Sequence, residues 1–103
     1  MVEIKSYHDK FRFEITSLAG AVLLKSVAFS DEEEARTAFS EIQQFRNKKI
    51  VRFERRTDHD GQFFFQMKNA TGKVLAESQT YDSEPGMENG IKNLKKRLSE
   101  LST

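Results

Sequence analysis

Residues 61–98, GQFFFQMKNATGKVLAESQTYDSEPGMENGIKNLKKRL, decide how the rest of the chain is read. Phe63, Phe65 and Met67 alternate with Phe64, Gln66 and Lys68, which predicts a strand with one dry face. Asn69 to Gly72 reads as a turn. A second strand follows from Lys73 to Tyr81, with Val74 and Ala76 expected toward the core and Leu75 opposite. Ser83 is a natural N-cap, and Pro85 fits the first helical turn because the N–H it lacks would be unpaired there. Met87, Ile91, Leu94, Leu98 and Leu101 then recur at helical spacing and make one apolar stripe. Gly90 interrupts that helix, and its missing side chain allows close approach of a neighbour. Upstream, Val51 to Thr57 predicts a further strand, joined to the first through Asp58-His59-Asp60-Gly61, a strong hairpin signal.

The first half of the chain follows the same plan. Val2 and Ile4 suggest a short strand, His8 to Lys10 a polar turn, and Phe11, Phe13 and Ile15 a strand with its aromatics inward. Ala21 to Phe29 is apolar on both sides, with Val22, Leu24 and Ser26 expected to face one way and Leu23, Lys25 and Val27 the other. The second side is therefore expected to be partly covered. Ser30 and Glu33 have the spacing of a capping box ahead of a helix over residues 31–46, whose stripe is Ala35, Ala38, Phe39, Ile42 and Phe45. The acids at 31–34 suit the positive end of the helix dipole better than a metal.

Shifting the chain by 52 positions places Phe11 on Phe63, Phe13 on Phe65, Gly20 on Gly72, Ser26 on Ser78 and Phe29 on Tyr81, and continues into both helices. This predicts an α+β fold of two tandem β-β-β-α repeats, residues 1–48 and 49–103, forming a single domain. Neither unit is large enough to bury its own sheet face. Pseudo-twofold packing would let a curved antiparallel sheet close around both helices over one shared core.

The composition agrees with a small globular domain. The chain has 103 residues, 37% hydrophobic and 32% charged, with a formal net charge of +1. Residues 1–48 carry seven Lys/Arg against eight Asp/Glu, and residues 49–103 carry ten against eight. No bulk charge therefore demands a nucleic-acid partner. The absence of cysteine excludes disulfides, thiolate metal sites and thiol nucleophiles, and it favours a reducing, cytoplasmic setting. No apolar run approaches the roughly 20 residues of a membrane-spanning helix.

The second unit also resembles a known family. Gly61-Gln62-Phe63-Phe64-Phe65, the Asn-Ala-Thr-Gly turn at 69–72, Ser78, Tyr81 and Gly86-Met87-Glu88-Asn89-Gly90-Ile91 are similar to the YegP-like small bacterial proteins of the UPF0339/DUF1508 type. The first unit matches more loosely, because acids replace the glycine- and asparagine-bearing helix start. The resemblance implies an α+β fold with a sheet wrapping the helices. It brings no reaction, and so transfers no catalytic residue.

Three function classes follow. The leading expectation is a non-enzymatic binding or accessory protein, monomeric, without metal or cofactor, for which Glu88 and Asn89 are exposed candidates for partner contact. The alternative is nucleic-acid binding through Arg52, Arg55, Arg56, Phe64, Lys68 and Lys73, where an outward ring could stack on a base and cations could meet phosphate. The third is a metal-dependent enzyme using His8, Asp9, His59 and Asp60, which requires the two turns to converge. Gly86 to Gly90 lacks the lysine and the glycine density of a phosphate-binding loop. Ser26 and Ser78 are better assigned to strand hydrogen bonding than to nucleophilic chemistry.

Overall fold

The computed structural model describes residues 4–101; the strand position expected for Val2 lies outside the described residues. The elements run β1 (Ile4–Tyr7), β2 (Lys10–Thr16), β3 (Val22–Ser26), α1 (Glu32–Gln43), β4 (Val51–Thr57), β5 (Phe63–Asn69), β6 (Val74–Glu77) and α2 (Glu84–Leu101). All six strands form one antiparallel sheet in the order β1-β2-β3-β6-β5-β4. The halves of the chain meet where β3 pairs with β6, through Lys25↔Glu77 and Ser26↔Ala76. The fold is thus α+β, with two helices against one antiparallel sheet.

One hydrophobic core joins both halves. It contains Phe13, Ile15 and Leu24 from the first sheet wing, Phe65, Met67 and Ala76 from the second, and Ala38, Ile42, Ile91 and Leu94 from the helices. Phe13 lies parallel to Phe29 with ring centres 6.4 Å apart and meets Phe39 edge-on at 5.5 Å. Phe53 tilts onto Phe65 at 5.8 Å. The alternating aromatics therefore do face inward, as their spacing requires.

The short strands β3 and β6 depart from simple alternation. The register between β2 and β3 shifts between Ile15 and Thr16, skipping Leu23, and that between β5 and β6 shifts between Met67 and Lys68, skipping Leu75. An extra residue opposite a shorter partner is a β-bulge, and it lets two consecutive side chains turn to the same face. Leu23 and Leu24 are accordingly both buried, as are Leu75 and Ala76. Leu75, expected to point away from the core, is 2% exposed, whereas Val22, expected to point in, is 37% exposed.

Ser26 and Ser78 stand where these strands leave their hairpins. Beyond Lys25, β3 turns from β2 to β6, and Val27 N donates to the Leu75 carbonyl at 3.0 Å. That turn leaves the Phe13 N–H without a strand carbonyl, and it donates instead to Ser26 Oγ at 2.9 Å. The hydroxyl in turn donates to the Val27 carbonyl at 2.8 Å. Phe65 N donates to Ser78 Oγ at 3.0 Å, and Ser78 Oγ donates to the Gln79 carbonyl at 2.7 Å. Each chain then rejoins its hairpin through the bridges Phe11↔Phe29 and Phe63↔Tyr81.

The helix ends differ in part from the spacing argument. The N-cap of α1 is Asp31, not Ser30: its carboxylate accepts from Glu34 N at 2.7 Å, while Ser30 Oγ donates to Glu34 Oε1 at 2.8 Å. A carboxylate at the cap adds charge to the hydrogen bond, so it outcompetes the neighbouring hydroxyl. The helix also stops at Gln43 rather than residue 46, because Gln44 N and Asn47 N close tighter turns onto Glu41 and Gln44 carbonyls. Phe45 stays buried beyond the helix end, with the Arg46 guanidinium 4.6 Å from its ring centre. Ser83 caps α2 as expected, accepting from Gly86 N at 3.1 Å.

Gly90 is required by Tyr81. A Cβ at Gly90 would lie 2.1 Å from the Tyr81 hydroxyl and 2.5 Å from its Cζ. At the positions 52 residues earlier, Phe29 lacks the hydroxyl and Ala38 supplies the methyl.

Two outcomes follow, both read by urea denaturation. Ser26→Ala strands a buried Phe13 N–H and should cost about 1–3 kcal/mol, with Ser78→Ala costing less because Ser78 is only half-buried. Gly90→Ala gains about 1 kcal/mol of helix propensity but overpacks Tyr81 by about 1–3 kcal/mol, so it should be neutral to destabilising. Tyr81→Phe should recover part of that loss, the ring carbon still being close; equal losses in Gly90→Ala and the double variant would show that the hydroxyl is irrelevant.

Candidate binding surface

The inward set on β4 and β5 contains Phe65 and Met67, whose cross-strand partners are Arg55 and Phe53. Arg52, Arg56, Phe64 and Lys68 therefore occupy the solvent face, and Arg55 the helix face. From there Arg55 forms a two-pronged ion pair with Glu88 of α2, Nε to Oε2 and Nη2 to Oε1, the latter at 3.0 Å. Hydrogen bonding to the Arg55 guanidinium holds the Glu88 carboxyl below its ordinary range and raises Arg55. Glu88 is thus engaged within the fold, while Asn89 stays exposed.

On the solvent face Glu54 neutralises two cations. It accepts from Lys68 at 2.5 Å and from Arg56 at 2.8 Å, and the Lys68 hydrogen bond is the largest cause of its lowered pKa. Lys73 lies with its ammonium 5.6 Å from the ring centre of Phe29. Arg52 sits directly opposite Lys68, and half-buried Phe64 opposite Arg56. The six residues singled out from the sequence do not make one cationic surface: Arg55 is on the other face, and three of the five charges are paired inside the molecule.

The histidines do not converge. His8 tips the β1–β2 hairpin and His59 lies in the β4–β5 turn, at opposite edges of the six-stranded sheet. His59 Nε2 lies 3.7 Å from Asp60 Oδ2 on an open loop. Among the described residues no three His, Cys, Asp or Glu side chains gather in a group that could hold a metal ion.

A second group of cations gathers on the β1–β2–β3 wing. The hairpin register sets Lys5 opposite Arg12 and Tyr7 opposite Lys10, and the next strand sets Glu14 opposite Lys25. Like charges facing each other across a strand pair are destabilising, so Lys5 and Arg12 are a costly pair for the fold alone. They border a hollow of about 640 Å³ that Tyr7, Glu14, Lys25 and Arg97 also line. Arg97 is held there by its Nε, which donates to the Thr16 carbonyl at 2.9 Å, and its Nη1 lies 3.6 Å from Glu100. Lys25 lies 4.0 Å from Glu14, a loose pair. Among the described residues, Lys5, Lys10 and Arg12 have no carboxylate within ion-pair distance.

Tyr7 is 64% exposed and meets the His8 ring edge-on at 4.4 Å. The two-residue turn after it holds His8 and Asp9 at φ 50° and 61°, the left-handed region that non-glycine residues seldom occupy. Five of the eight acids of this half belong instead to α1 and its cap, where Asp31, Glu33, Glu34 and Glu41 line a separate hollow of about 300 Å³ against Asn69 and Lys73. Sequence reasoning missed the wing because it counted charge along the chain. Pairing residues across the His8-Asp9 turn would have set Lys5 against Arg12.

The ion pairs make an acid-stability prediction. The folded-state pKa values of Glu88 and Glu54 are lowered, so their contribution is present above the unfolded value of about 4.3 and disappears as pH falls through the folded one. Glu88→Gln should cost no more than about 1 kcal/mol at pH 7, as befits an exposed pair, and less at pH 3. Urea midpoints at the two pH values check this; a pH-independent loss would assign Glu88 a packing role instead.

Comparison with known proteins places this geometry. Residues 58–100 match the domain of unknown function DUF1508. The UPF0339 protein YegP of Escherichia coli is 26% identical over 91 residues, covering 88% of this chain and 82% of its own. The UPF0339 protein PA0329 of Pseudomonas aeruginosa is 24% identical over 96 residues, covering 93% and 86%. The solution NMR structure of E. coli YegP, a protein of unknown function, superposes with a TM-score of 0.85 over 95% of this chain and 84% of that one, at 23% identity. With a shared fold and similarity along most of its length, this chain is similar to YegP and to the other UPF0339 proteins.

Proposed function

We propose that the protein is a small non-enzymatic binding domain, built from two β-β-β-α units about a pseudo-twofold axis, that takes an anionic partner on its β1–β2–β3 wing. The observation that carries the reading is the gathering of Lys5, Arg12, Lys25 and Arg97 around a hollow of about 640 Å³ whose lining, among the described residues, includes one carboxylate, Glu14. Low-dielectric walls lined by one sign of charge raise the local concentration of the opposite sign. Among the described residues, Glu54, Arg55 and Glu88 have shifted pKa values, and each owes the shift first to an ion pair on an open surface.

The two-unit reading, residues 1–48 and 49–103 in one domain, is supported by bonds that recur at the 52-residue offset. Phe11↔Phe29 answers Phe63↔Tyr81, and Phe13 N to Ser26 Oγ answers Phe65 N to Ser78 Oγ. Lys25 pairs with Glu77, its own counterpart under the offset, as an axis through that pair would require. Both helix stripes are covered within one chain, which favours a monomer, and the lack of cysteine suits the cytoplasm.

Titration with inorganic polyphosphate at low salt, followed by amide chemical shifts, tests the reading. Shifts should concentrate in β1, β2, β3 and around Arg97. No change, or changes confined to β4 and β5, would overturn it.

A further inference from the structure

We infer that the partner is single-stranded nucleic acid, its phosphates held by Lys5, Arg12, Lys25 and Arg97 and a base stacked on Tyr7. The inference rests on the anionic-partner reading above and adds the class of ligand. Charge alone suits any polyanion, so the choice turns on the ring. Tyr7 shares the solvent face of β1 with Lys5, two residues away, and stands directly across from Lys10. An aromatic side chain that is 64% exposed stabilises no core, and an exposed ring in register with a cation is the arrangement that takes an unpaired base.

The turn after Tyr7 strengthens the case. His8 and Asp9 are both held at positive φ, in a turn that glycine or asparagine would adopt with less strain. That turn sets the Tyr7↔Lys10 and Lys5↔Arg12 register, so the ring and the cations are placed by one tight hairpin. The cations also spread across three adjacent strands spaced about 4.8 Å apart and continue to Arg97 of α2. Such a spread suits a chain of phosphates better than a single one. A duplex buries its base faces, and Tyr7 could not stack on it. An acidic peptide would satisfy the cations but leave the ring idle.

Binding of short oligo-dT and oligo-U, measured by fluorescence anisotropy over a salt series, tests the inference beside inorganic polyphosphate, a matched DNA duplex and an acidic peptide of equal charge. Four neutralised phosphates predict a log–log salt slope of about −3 for the single strands. The double variant Lys5→Gln/Arg12→Gln should flatten that slope by about 1.4 units. Tyr7→Ala should weaken oligonucleotide binding about tenfold, leave the slope unchanged and not affect polyphosphate, with Tyr7→Phe close to the parent. Arg52→Gln should change little.

If polyphosphate binds the wing while Tyr7→Ala is silent, or the duplex or peptide binds as tightly as the single strands, the nucleic-acid inference falls and the anionic-partner reading stands. If Lys5→Gln/Arg12→Gln binds every probe as the parent does, or no probe binds at low salt, both fall.

Discussion

The fold depends on a short seam. β3 and β6 each pair within their own hairpin, and they join the two halves at its end, where Lys25 and Glu77 still pair with both neighbouring strands. A strand that changes partners must abandon a backbone donor, and a buried N–H without an acceptor costs as much as a good hydrogen bond contributes. Ser26 and Ser78 resolve that conflict by accepting from Phe13 N and Phe65 N. The sheet can then continue across six strands, and the core on its inner face can be one core rather than two inadequate ones.

The bulges serve the same end. Strands this short carry few inward positions under strict alternation. Skipping Leu23 and Leu75 in the pairing turns two neighbouring side chains inward on each strand. The apolar doublets Leu23-Leu24 and Leu75-Ala76 thus both reach the core beneath the seam. Their outward neighbours Lys25 and Glu77 pair with each other across it, opposite charges in register.

Electrostatically the two wings of the sheet differ. On β4 and β5, Glu54 and Glu88 take up Arg55, Arg56 and Lys68, so that wing is knit to itself and to α2. On β1 and β2, Lys5 faces Arg12, and most carboxylates of the same half lie along α1 and at its cap. An arrangement that the fold alone would not favour, on an exposed face beside an exposed ring, is where a ligand has room to act.

Much of the architecture was legible in the residues. Alternation of Phe11, Phe13, Ile15 and of Phe63, Phe65, Met67 gave the strands and their inner faces, and helical spacing gave both apolar stripes, because those signals depend on backbone periodicity. Ser83 as a cap and Gly90 as a contact point were also readable, being local chemistry. The cap of α1, the inward turn of Leu75 and the separation of Arg55 from Arg52, Arg56 and Lys68 were not read in advance. The candidate site belongs with them: Lys5, Arg12, Lys25 and Arg97 span almost the whole chain, and only strand order and register bring them to one hollow. Side-chain periodicity is written in neighbouring residues and can be read from them. Which distant charges end up as neighbours is decided by pairing between strands, where a bulge of one residue exchanges the faces of everything beyond it.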